Sequence, residues 1–333
     1  MGVVRWGVLG VAKIATEKVI PGMQRGEVSR IDAIASRDPK RARAAAVALG
    51  IPKAHGSYEA LLADPDIDAI YNPLPNELHV PWTERALAAG KHVLCEKPIA
   101  LDADEARRLI AARDRSGKLV AEAFMVRYHP QWRRAHEIVR SGGIGEVGAI
   151  QTLFAYRLED PANIRNKPPG GGGLYDIGCY AILTARYIFG AEPSRIVAAL
   201  DVDPRFGTDR LASAVIEFPG VRHLTFTAGT QLAGHQHVTI AGNKGRIEIG
   251  IPFNAPMDRP TRITIDSGVD LVGSGARSEE FPTCDQYTLQ GDAFSRAVLS
   301  EAPLEFPLED AIANMRVIDA CFRSARSGRW ESP

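Results

Sequence analysis

The sequence predicts two domains: an N-terminal α/β domain built on a doubly wound parallel sheet, and a C-terminal α+β domain with a large, mainly antiparallel, open sheet. Its 333 residues correspond to about two domains at roughly 150 residues each. Strand-like and helix-like segments alternate up to about residue 125, and strand-like segments then follow one another with few helices between them. We expect domains at residues 1–124 and 125–333, and we leave open that the C-terminal helix packs back on the first domain.

Charge and hydropathy exclude several classes of protein. Forty Lys and Arg residues balance forty Asp and Glu residues, whereas nucleic-acid binding needs a surplus of cations. A hydrophobic fraction of 45% argues against disorder. We find neither a secretory signal nor an apolar run of about 18 residues. We therefore expect a cytoplasmic protein without a membrane or nucleic-acid partner.

The cysteine pattern indicates neither a disulfide scaffold nor a zinc site. Cys95, Cys179, Cys284 and Cys321 are far apart and form no Cys-x-x-Cys pair. We expect four buried, reduced thiols and no bound metal.

Short β-branched strands alternate with glycine-terminated helices in the first domain. Ser57 and Asp102 stand where N-caps are expected, and Gly50, Gly90 and Gly117 follow helices. The predicted strands are Val3–Leu9, Ile31–Ser36, Ile67–Tyr71, His92–Cys95 and Val120–Ala123. The predicted helices are Ile14–Gln24, Lys40–Leu49, Tyr58–Ala63, Glu77–Ala89 and a last one from Asp102 to Ser116.

The second domain is richer in strands. We predict helices at His129–Ser141, Asp176–Phe189, Leu289–Ser300 and Leu308–Ser327. The predicted strands are Val147–Tyr156, Arg195–Asp201, Leu211–Glu217, His223–Gly229, His237–Ala241, Arg246–Ile249 and Thr261–Ile265. Residues 252–262 and 272–285 are predicted as loops.

The turn after the first strand matches a degenerate dinucleotide fingerprint. In G-x-G-x-x-G/A, Gly10 takes the turn position, Ala12 replaces the second glycine, and Ala15 is the small residue that packs on the sheet. The following helix offers amide groups and partial positive charge to phosphates. We expect Gly10, Ala12, Lys13 and Ile14 to bind a cofactor. The alternative is a tight turn that binds nothing.

The tip of the second strand bears on cofactor choice. It carries Ser36 and Arg37, with Arg41 nearby. A hydroxyl and a guanidinium suit the 2′-phosphate of NADP, whereas NAD binding commonly uses an acidic residue there. We therefore expect NADP rather than NAD. The alternative, that Asp38 binds the ribose and Arg37 is merely solvated, stays open.

Polar residues follow the third and fourth strands, at the edge where such sheets bind ligands. Any one of them taken alone is more often a solvated loop residue. From these two loops we assign to the cofactor Pro73, Leu74, Asn76, His79, Glu96 and Lys97. Pro98 restricts the backbone after Lys97, and the bond between them could be cis.

A second group of candidates lies near a glycine run at residues 170–173. Asp176 and Tyr180 are four residues apart on a predicted helix and therefore share a face. The glycines let the backbone come close to a ligand. A helix cap and a half-buried core tyrosine are the alternatives. Arg127, Phe154 and Tyr156 are weaker candidates for a substrate pocket, because strand and helix packing also explains them.

The chain resembles the Gfo/Idh/MocA oxidoreductase family over nearly its whole length. It is similar to the branch that holds glucose–fructose oxidoreductase, dimeric dihydrodiol dehydrogenase and NADP-dependent xylose dehydrogenase. Inositol dehydrogenase-like members have histidine where this chain has Tyr180. The blocks that carry the resemblance are Gly10-x-Ala12-x-Ile14-Ala15, Glu96-Lys97-Pro98, Arg127-Tyr128-His129-Pro130 and Asp176-Ile177-Gly178-Cys179-Tyr180.

The resemblance implies a role for each catalytic candidate. Lys97 contacts the cofactor ribose and the reacting oxygen, Tyr180 donates and accepts the proton, and Asp176 orients the substrate. An ammonium beside a phenol favours the phenolate, which makes this pair chemically sensible. The resemblance also implies a homodimer or homotetramer formed through the C-terminal sheet.

We expect an NADP-dependent oxidoreductase that moves a hydride between nicotinamide and a carbinol or carbonyl carbon of a sugar, such as xylose or glucose, or of a cyclic diol. The enzymatic alternatives are a sugar–sugar oxidoreductase with tightly bound NADP and a reductase of anhydro- or keto-sugars. The non-enzymatic alternative is an NADP-sensing regulatory protein.

Overall fold

The chain divides into two units in a computed structural model, which describes residues 2–333. The first unit is Met1–Met125 with Asp285–Met315, and the second is Val126–Cys284 with Arg316–Pro333. The chain first leaves the first unit after Met125, one residue beyond the predicted domain boundary. The later segment Asp285–Met315 groups with the first unit.

The first unit contains the predicted parallel sheet, with strand order β3-β2-β1-β4-β5-β6. Its winding reverses between β1 and β4, which places a crevice at their carboxyl ends. The strands are β1 (Val4–Leu9), β2 (Ser29–Ala35), β3 (Lys53–His55), β4 (Ala69–Asn72), β5 (His92–Cys95) and β6 (Val120–Glu122). The helices of this part are α1 (Ile20–Met23), α2 (Pro39–Leu49), α3 (Tyr58–Leu62), α4 (His79–Ala88) and α5 (Ala103–Ser116).

Local hydrogen bonds explain where several helices begin and end. The Ser57 hydroxyl accepts from the N–H of Ala60 at 3.1 Å, and the Asp102 carboxylate accepts from the N–H of Glu105 at 2.7 Å. Gly50 adopts a φ of 65° at the end of α2, a left-handed conformation that favours glycine. These ends agree with the sequence prediction.

The first predicted helix, Ile14–Gln24, differs in detail. It begins as a π-helical turn at Ala15–Val19 and continues as the short α1. Pro21 stands at the beginning of α1 and has no N–H to donate to the preceding turn. The π-helical hydrogen bonds give way to α-helical ones at this point. A helix over this segment is confirmed, but its first part is π-helical rather than α-helical.

The second unit contains a sheet with the order β14-β13-β12-β11-β7-β10-β9-β8. Strand β7 pairs in parallel with β10 and antiparallel with β11. The sheet is mainly antiparallel, as predicted. The strands are β7 (Val147–Arg157), β8 (Arg195–Val202), β9 (Asp209–Phe218), β10 (Arg222–Gly229), β11 (Gln231–Gly242), β12 (Gly245–Ile249), β13 (Thr261–Asp266) and β14 (Ala276–Phe281).

Four helices complete the chain: α6 (Pro130–Arg140), α7 (Cys179–Phe189), α8 (Gln286–Val298) and α9 (Leu308–Ser327). Helix α7 contacts β7 and β10, and nearly all of its residues are buried. On the face of β7 that includes Ile150 and Phe154 the side chains are buried, whereas Leu153, which points to the other face, is 36% exposed.

Two strands were missed by the sequence analysis. Strand β3 has three residues, and none of them is fully buried. Strand β14 lies inside the predicted loop 272–285 and is exposed or half-exposed throughout. Both are edge strands whose polar side chains lack the apolar signal on which the prediction relied.

The four cysteines are free thiols. Cys95, Cys179 and Cys321 are buried, whereas Cys284 is partly exposed, which corrects the expectation of four buried thiols. Among residues 2–333, no helix is long and apolar enough to cross a membrane. Within that same range, the structure brings together no cluster of three or more His, Cys, Asp or Glu side chains that could hold a metal ion.

Trp6 on β1 ties α8 to the first sheet. It is fully buried, its indole N–H donates to the Ser295 hydroxyl at 3.0 Å, and its ring lies 5.5 Å from that of Phe294. These contacts explain why a segment distant in sequence groups with the first unit.

We therefore expect Trp6→Phe to lower the free energy of unfolding by about 2 kcal/mol, since it removes buried volume and a buried hydrogen bond. Trp330 is 42% exposed, so the control Trp330→Phe should change it by less than about 0.5 kcal/mol. Urea unfolding followed by circular dichroism measures both. Equal effects would show that α8 is not anchored through Trp6.

Candidate active site

The turn after β1 requires a glycine. Gly10 has a φ of 87°, and a Cβ there would lie 3.1 Å from Leu74 Cδ2 and 3.4 Å from the Tyr58 hydroxyl. The turn thus lies against the loop that follows β4. Ala12 and Ile14 are half-buried, and Lys13 is exposed, 3.8 Å from Glu17. The first amide groups of the following helical turn face the same edge of the sheet, which suits a phosphate.

At the tip of β2, Asp38 serves as a helix cap. Its carboxylate accepts from the N–H of Lys40 at 2.9 Å and begins α2. The Ser36 hydroxyl accepts from the N–H of Asp38 at 3.1 Å. Arg37 and Arg41 are exposed. The acidic residue at this tip is thus engaged by the backbone, while the two guanidinium groups face solvent.

The loop after β4 is held by a buried amide. The Asn72 side chain donates to the carbonyl of His79 at 3.0 Å and to the Thr83 hydroxyl at 3.2 Å. Its oxygen accepts from the N–H of Leu74 at 3.3 Å. Pro73 and Leu74 are buried, and Asn76 is half-buried. The backbone of this loop is therefore positioned before any ligand arrives.

His79 joins this loop to the one that follows β5. The ring is 1% exposed, with Nε2 2.7 Å from the carbonyl oxygen of Leu74 and Nδ1 2.8 Å from that of Pro98. Burial lowers the pKa of His79 to about 4, so the ring is neutral at pH 7. A neutral ring carries one N–H and donates to one of these two carbonyls. A direct contact of the ring with a cofactor stays a prediction.

The Glu96-Lys97-Pro98 segment begins where β5 ends, and the Lys97–Pro98 bond is cis. The Tyr71 hydroxyl donates to Glu96 Oε1 at 2.7 Å, and the N–H of Lys97 lies 3.3 Å from Glu96 Oε2. Burial, reinforced by the charge of Glu96, raises the pKa of Tyr71, which keeps this phenol protonated as the donor.

A second carboxylate, the buried Glu122 of β6, holds the other end of this segment. Glu122 accepts from the N–H of Ile99 at 2.8 Å and is 3% exposed. The backbone on both sides of Lys97 is thereby anchored, while Lys97 itself is half-buried. Neither Tyr71 nor Glu122 was identified from the sequence, because each lies within a strand that looked purely structural.

In the second unit, Tyr180 lies among aromatic rings. It is 6% exposed, and its ring centroid is 6.0 Å from that of Phe154 and 5.3 Å from that of Phe253. Phe154 and Phe253 stack at 4.8 Å. Phe253 was missed because it belongs to the segment predicted as a loop. This apolar wall lowers the local dielectric around the phenol.

Asp176 is the centre of a polar cluster. The Tyr156 hydroxyl donates to one of its oxygens, and Arg165 Nε donates to the other at 3.0 Å. Burial and the charge of Asp176 raise the pKa of Tyr156, and that charge is also the main reason that the pKa of Arg165 is raised. Arg165 also interacts electrostatically with Tyr180. The sequence analysis did not identify Arg165, which follows no strand or motif.

The helix that carries these residues begins earlier than predicted. A π-helical turn covers Leu174–Gly178 and leads into α7, whereas the sequence predicted a helix from Asp176. The glycine run in front of it was expected to admit a ligand. In the structure, a Cβ at Gly172 would overlap Oδ1 of Asp209, so the group that approaches this backbone is a carboxylate of the chain itself.

The remaining candidate, Arg127, is 3% exposed on a short 3₁₀ helix, Met125–Tyr128, just before α6. The candidate residues thus form two sets. The first unit holds the turn after β1, the tip of β2 and the loops after β4 and β5. The second unit holds the group around Asp176 and Tyr180 together with Arg127.

Two protein-family models match the chain. Residues 4–124 match a model described as an oxidoreductase family with an NAD-binding Rossmann fold, and residues 132–248 match the GFO/IDH/MocA C-terminal domain. An uncharacterised oxidoreductase of Rhizobium meliloti is 50% identical over 333 residues, all of both chains.

Two further relatives have named activities. D-xylose 1-dehydrogenase (NADP(+)) 2 of Haloferax volcanii is 38% identical over 97% of this chain and 98% of its own. The crystal structure of an aldose-aldose oxidoreductase from Caulobacter crescentus superposes with a TM-score of 0.91 at 29% identity, covering 99% of this chain and 100% of the other. With both domain models matched, the chain belongs to the Gfo/Idh/MocA family of oxidoreductases.

Proposed function

We propose that this protein is an NADP-dependent oxidoreductase that acts on a carbinol or carbonyl carbon of a sugar, such as xylose or glucose, or of a related cyclic diol. The observation that carries the proposal is the environment of Tyr180, a phenol buried among aromatic rings and next to the Asp176–Arg165 ion pair. The 38% identity to a D-xylose 1-dehydrogenase supports the substrate class.

The first unit supplies the residues that would hold the cofactor. The turn Gly10–Ile14 suits the pyrophosphate, because Gly10 adopts the left-handed conformation of a tight turn and the helical segment that follows offers its first amide groups. Pro73, Leu74, Asn76, Glu96 and Lys97 would line the nicotinamide half, and His79 holds the two loops that carry them. When bound, the nicotinamide exchanges a hydride with the carbinol or carbonyl carbon of the substrate.

The tip of β2 favours NADP over NAD. Asp38 already caps α2 through its carboxylate, which leaves Ser36, Arg37 and Arg41 to meet the adenosine ribose. A guanidinium pairs with a 2′-phosphate and stacks on an adenine ring. The relative from Haloferax volcanii carries NADP(+) in its name, which supports the same choice.

The proton is assigned to Tyr180. An unperturbed tyrosine has a pKa of about 10, too high for a base at neutral pH. Neighbouring cations favour the phenolate: Arg165 interacts with Tyr180 from within the second unit, and we assign Lys97 as the second cation. Asp176, oriented by Tyr156 and Arg165, would bind a substrate hydroxyl.

A sugar–sugar oxidoreductase is the second candidate. The TM-score of 0.91 to an aldose-aldose oxidoreductase favours it. The proton chemistry of Tyr180 would be the same. The two functions differ in whether NADP stays bound through purification.

The uncovered face of the C-terminal sheet supports self-association. Val197, Val215, Thr225, Gln151 and Thr239 form one cross-strand row, and Val215 is 37% exposed. Side chains in such a row share a face. Since four of these five side chains are the β-branched Val and Thr, which form a flat surface, we infer that a second copy of this chain covers this face.

We expect higher kcat/KM with NADP than with NAD when aldoses, inositols and cyclic diols are assayed by the absorbance of reduced nicotinamide. Arg37→Ala should raise the KM for NADP by about 10-fold or more, because a charge-assisted contact is lost. The control, Arg43→Ala, removes an exposed guanidinium on α2 and should leave KM unchanged. Preference of the wild type for NAD would contradict the assignment.

We expect Tyr180→Phe to lower kcat by about 100-fold or more, as loss of general acid–base catalysis does. The affinity for NADP, measured by fluorescence titration, should be preserved. Lys97→Met should lower kcat as well, since it removes the second cation. Near-normal turnover by Tyr180→Phe would sink the proposed mechanism.

We expect light scattering to show a dimer or tetramer for the wild type. Val215→Lys should shift the protein towards monomer, because each copy would bury a charge at the interface. Val47→Lys, at a position on α2 that is 84% exposed, serves as the control and should not dissociate it. A monomeric wild type at working concentration would refute the interface.

A further inference from the structure

Asp209 is a buried carboxylate that the mechanism above leaves unused. It is the first residue of β9 and is 5% exposed. Its Oδ2 accepts from the N–H of Leu174 at 2.7 Å, and the carboxylate also accepts from the N–H of Gly173. Both donors belong to the first turn of the helical segment that carries Asp176 and Tyr180.

This helical segment depends on a cap from elsewhere in the chain. Gly173 stands at the N-cap position of this segment in a helical conformation. Because glycine has no side chain, this residue cannot supply the cap itself. The first N–H groups of a helix need an acceptor when they are buried. Asp209 supplies one from a neighbouring strand and places a negative charge at the positive end of the helix.

The glycine run is shaped to admit this carboxylate. Gly172 has a φ of 113°, and a Cβ there would overlap Oδ1 of Asp209. A Cβ on Gly173 would lie 3.3 Å from Oδ2, closer than ordinary contact. Asp209 lies 35 residues after Leu174 in the sequence, yet its carboxylate explains why the positions just before Leu174 are glycines.

We propose that Asp209 is a positioning residue that fixes the first turn of the helix and, through it, the direction of Asp176 and Tyr180. The inference rests on the proposed function only in giving Tyr180 a role in turnover. The contact itself lies wholly within the second unit.

Asp209 titrates close to neutral pH. Burial raises its pKa to about 6, and the charge of Asp176 contributes to the rise, while the backbone N–H groups oppose it. Tyr156 also interacts with Asp209, and Arg165 faces the cluster through Asp176. Above about pH 6 both oxygens accept, whereas the protonated acid carries a hydroxyl donor and holds the two N–H groups less well.

Protonation of Asp209 has opposite effects on folding stability and on activity. The pKa is higher in the folded chain than the ordinary 3.8, so protonation of Asp209 favours folding at low pH. That contribution is lost as the pH rises through about 6. The ionised carboxylate is therefore retained at a cost to stability, as expected of a residue that serves a site.

The test compares Asp209→Asn with Asp203→Asn. Asp203 is the matched control: it is 1% exposed in the same β8–β9 hairpin, but it binds Arg205 and Gln231 rather than the helix. Hydrogen–deuterium exchange of peptides covering residues 171–178 should accelerate in Asp209→Asn alone. The same peptides of the wild type, corrected for intrinsic rates, should exchange faster at pH 5 than at pH 7.5.

With NADP and D-xylose or D-glucose, Asp209→Asn should lower kcat by about 10-fold or more, with the NADP Kd within about 2-fold of wild type. The acid limb of the wild-type kcat profile, near pH 6, should disappear. In a Tyr180→Phe background Asp209→Asn should have no further effect on kcat, because the two act in series.

Unchanged exchange at residues 171–178 in Asp209→Asn, or an equal change in Asp203→Asn, overturns the capping contact. Faster exchange with unchanged kcat overturns the positioning role alone. Normal turnover by Tyr180→Phe overturns the proposed function, whatever the exchange shows at Asp209. If Asp209→Asn does not fold, the pH-dependent exchange of the wild type decides the contact.

Discussion

Hydrogen bonds from buried side chains to loop backbone are the interaction on which the rest of this structure depends. Where a strand ends, its backbone loses the partners that the sheet provided, and buried amide groups need others. Asn72, Glu122 and Asp209 provide them, and His79 donates to one loop carbonyl, all within hydrogen-bond distance. The loops that carry the candidate site are consequently set by the protein itself.

The two sets of candidate residues use this device differently. In the first unit, neutral donors and carboxylates hold two neighbouring loops, so that Lys97 emerges from a backbone anchored through Glu96 and Ile99. In the second unit, a carboxylate holds the beginning of a helix, and that helix carries Asp176 and Tyr180. Rigid support of this kind is what preorganised catalysis requires of residues outside the reacting group.

The charged groups near Tyr180 are Asp176 and Arg165, which form an ion pair. Asp176 accepts from Tyr156 and Arg165 at once, which holds the half-exposed guanidinium of Arg165 near the phenol of Tyr180. Phe154 and Phe253 pack against the ring of Tyr180, which is 6% exposed. A cation and an apolar wall together suit the proton transfer that we propose for Tyr180, because the aromatic rings keep part of the surroundings of the phenol at a low dielectric constant.

Local signals in the sequence determined the caps at Ser57 and Asp102, the glycine turn at Gly10 and the helix C-terminus at Gly50, because each depends on neighbours within a few residues. The parallel first sheet was predictable from the alternation of strands and helices, although its strands pair over long distances in the sequence. Tertiary structure alone decided the roles of Arg165, Phe253 and Asp209, and the pairing of the polar edge strands β3 and β14. Their partners lie far along the chain, and nothing in their own segments records them. The reason for glycine at position 172 also came from the tertiary structure. From the sequence we predicted that the glycine run lets the backbone come close to a ligand, whereas in the folded chain the carboxylate of Asp209 makes the close approach.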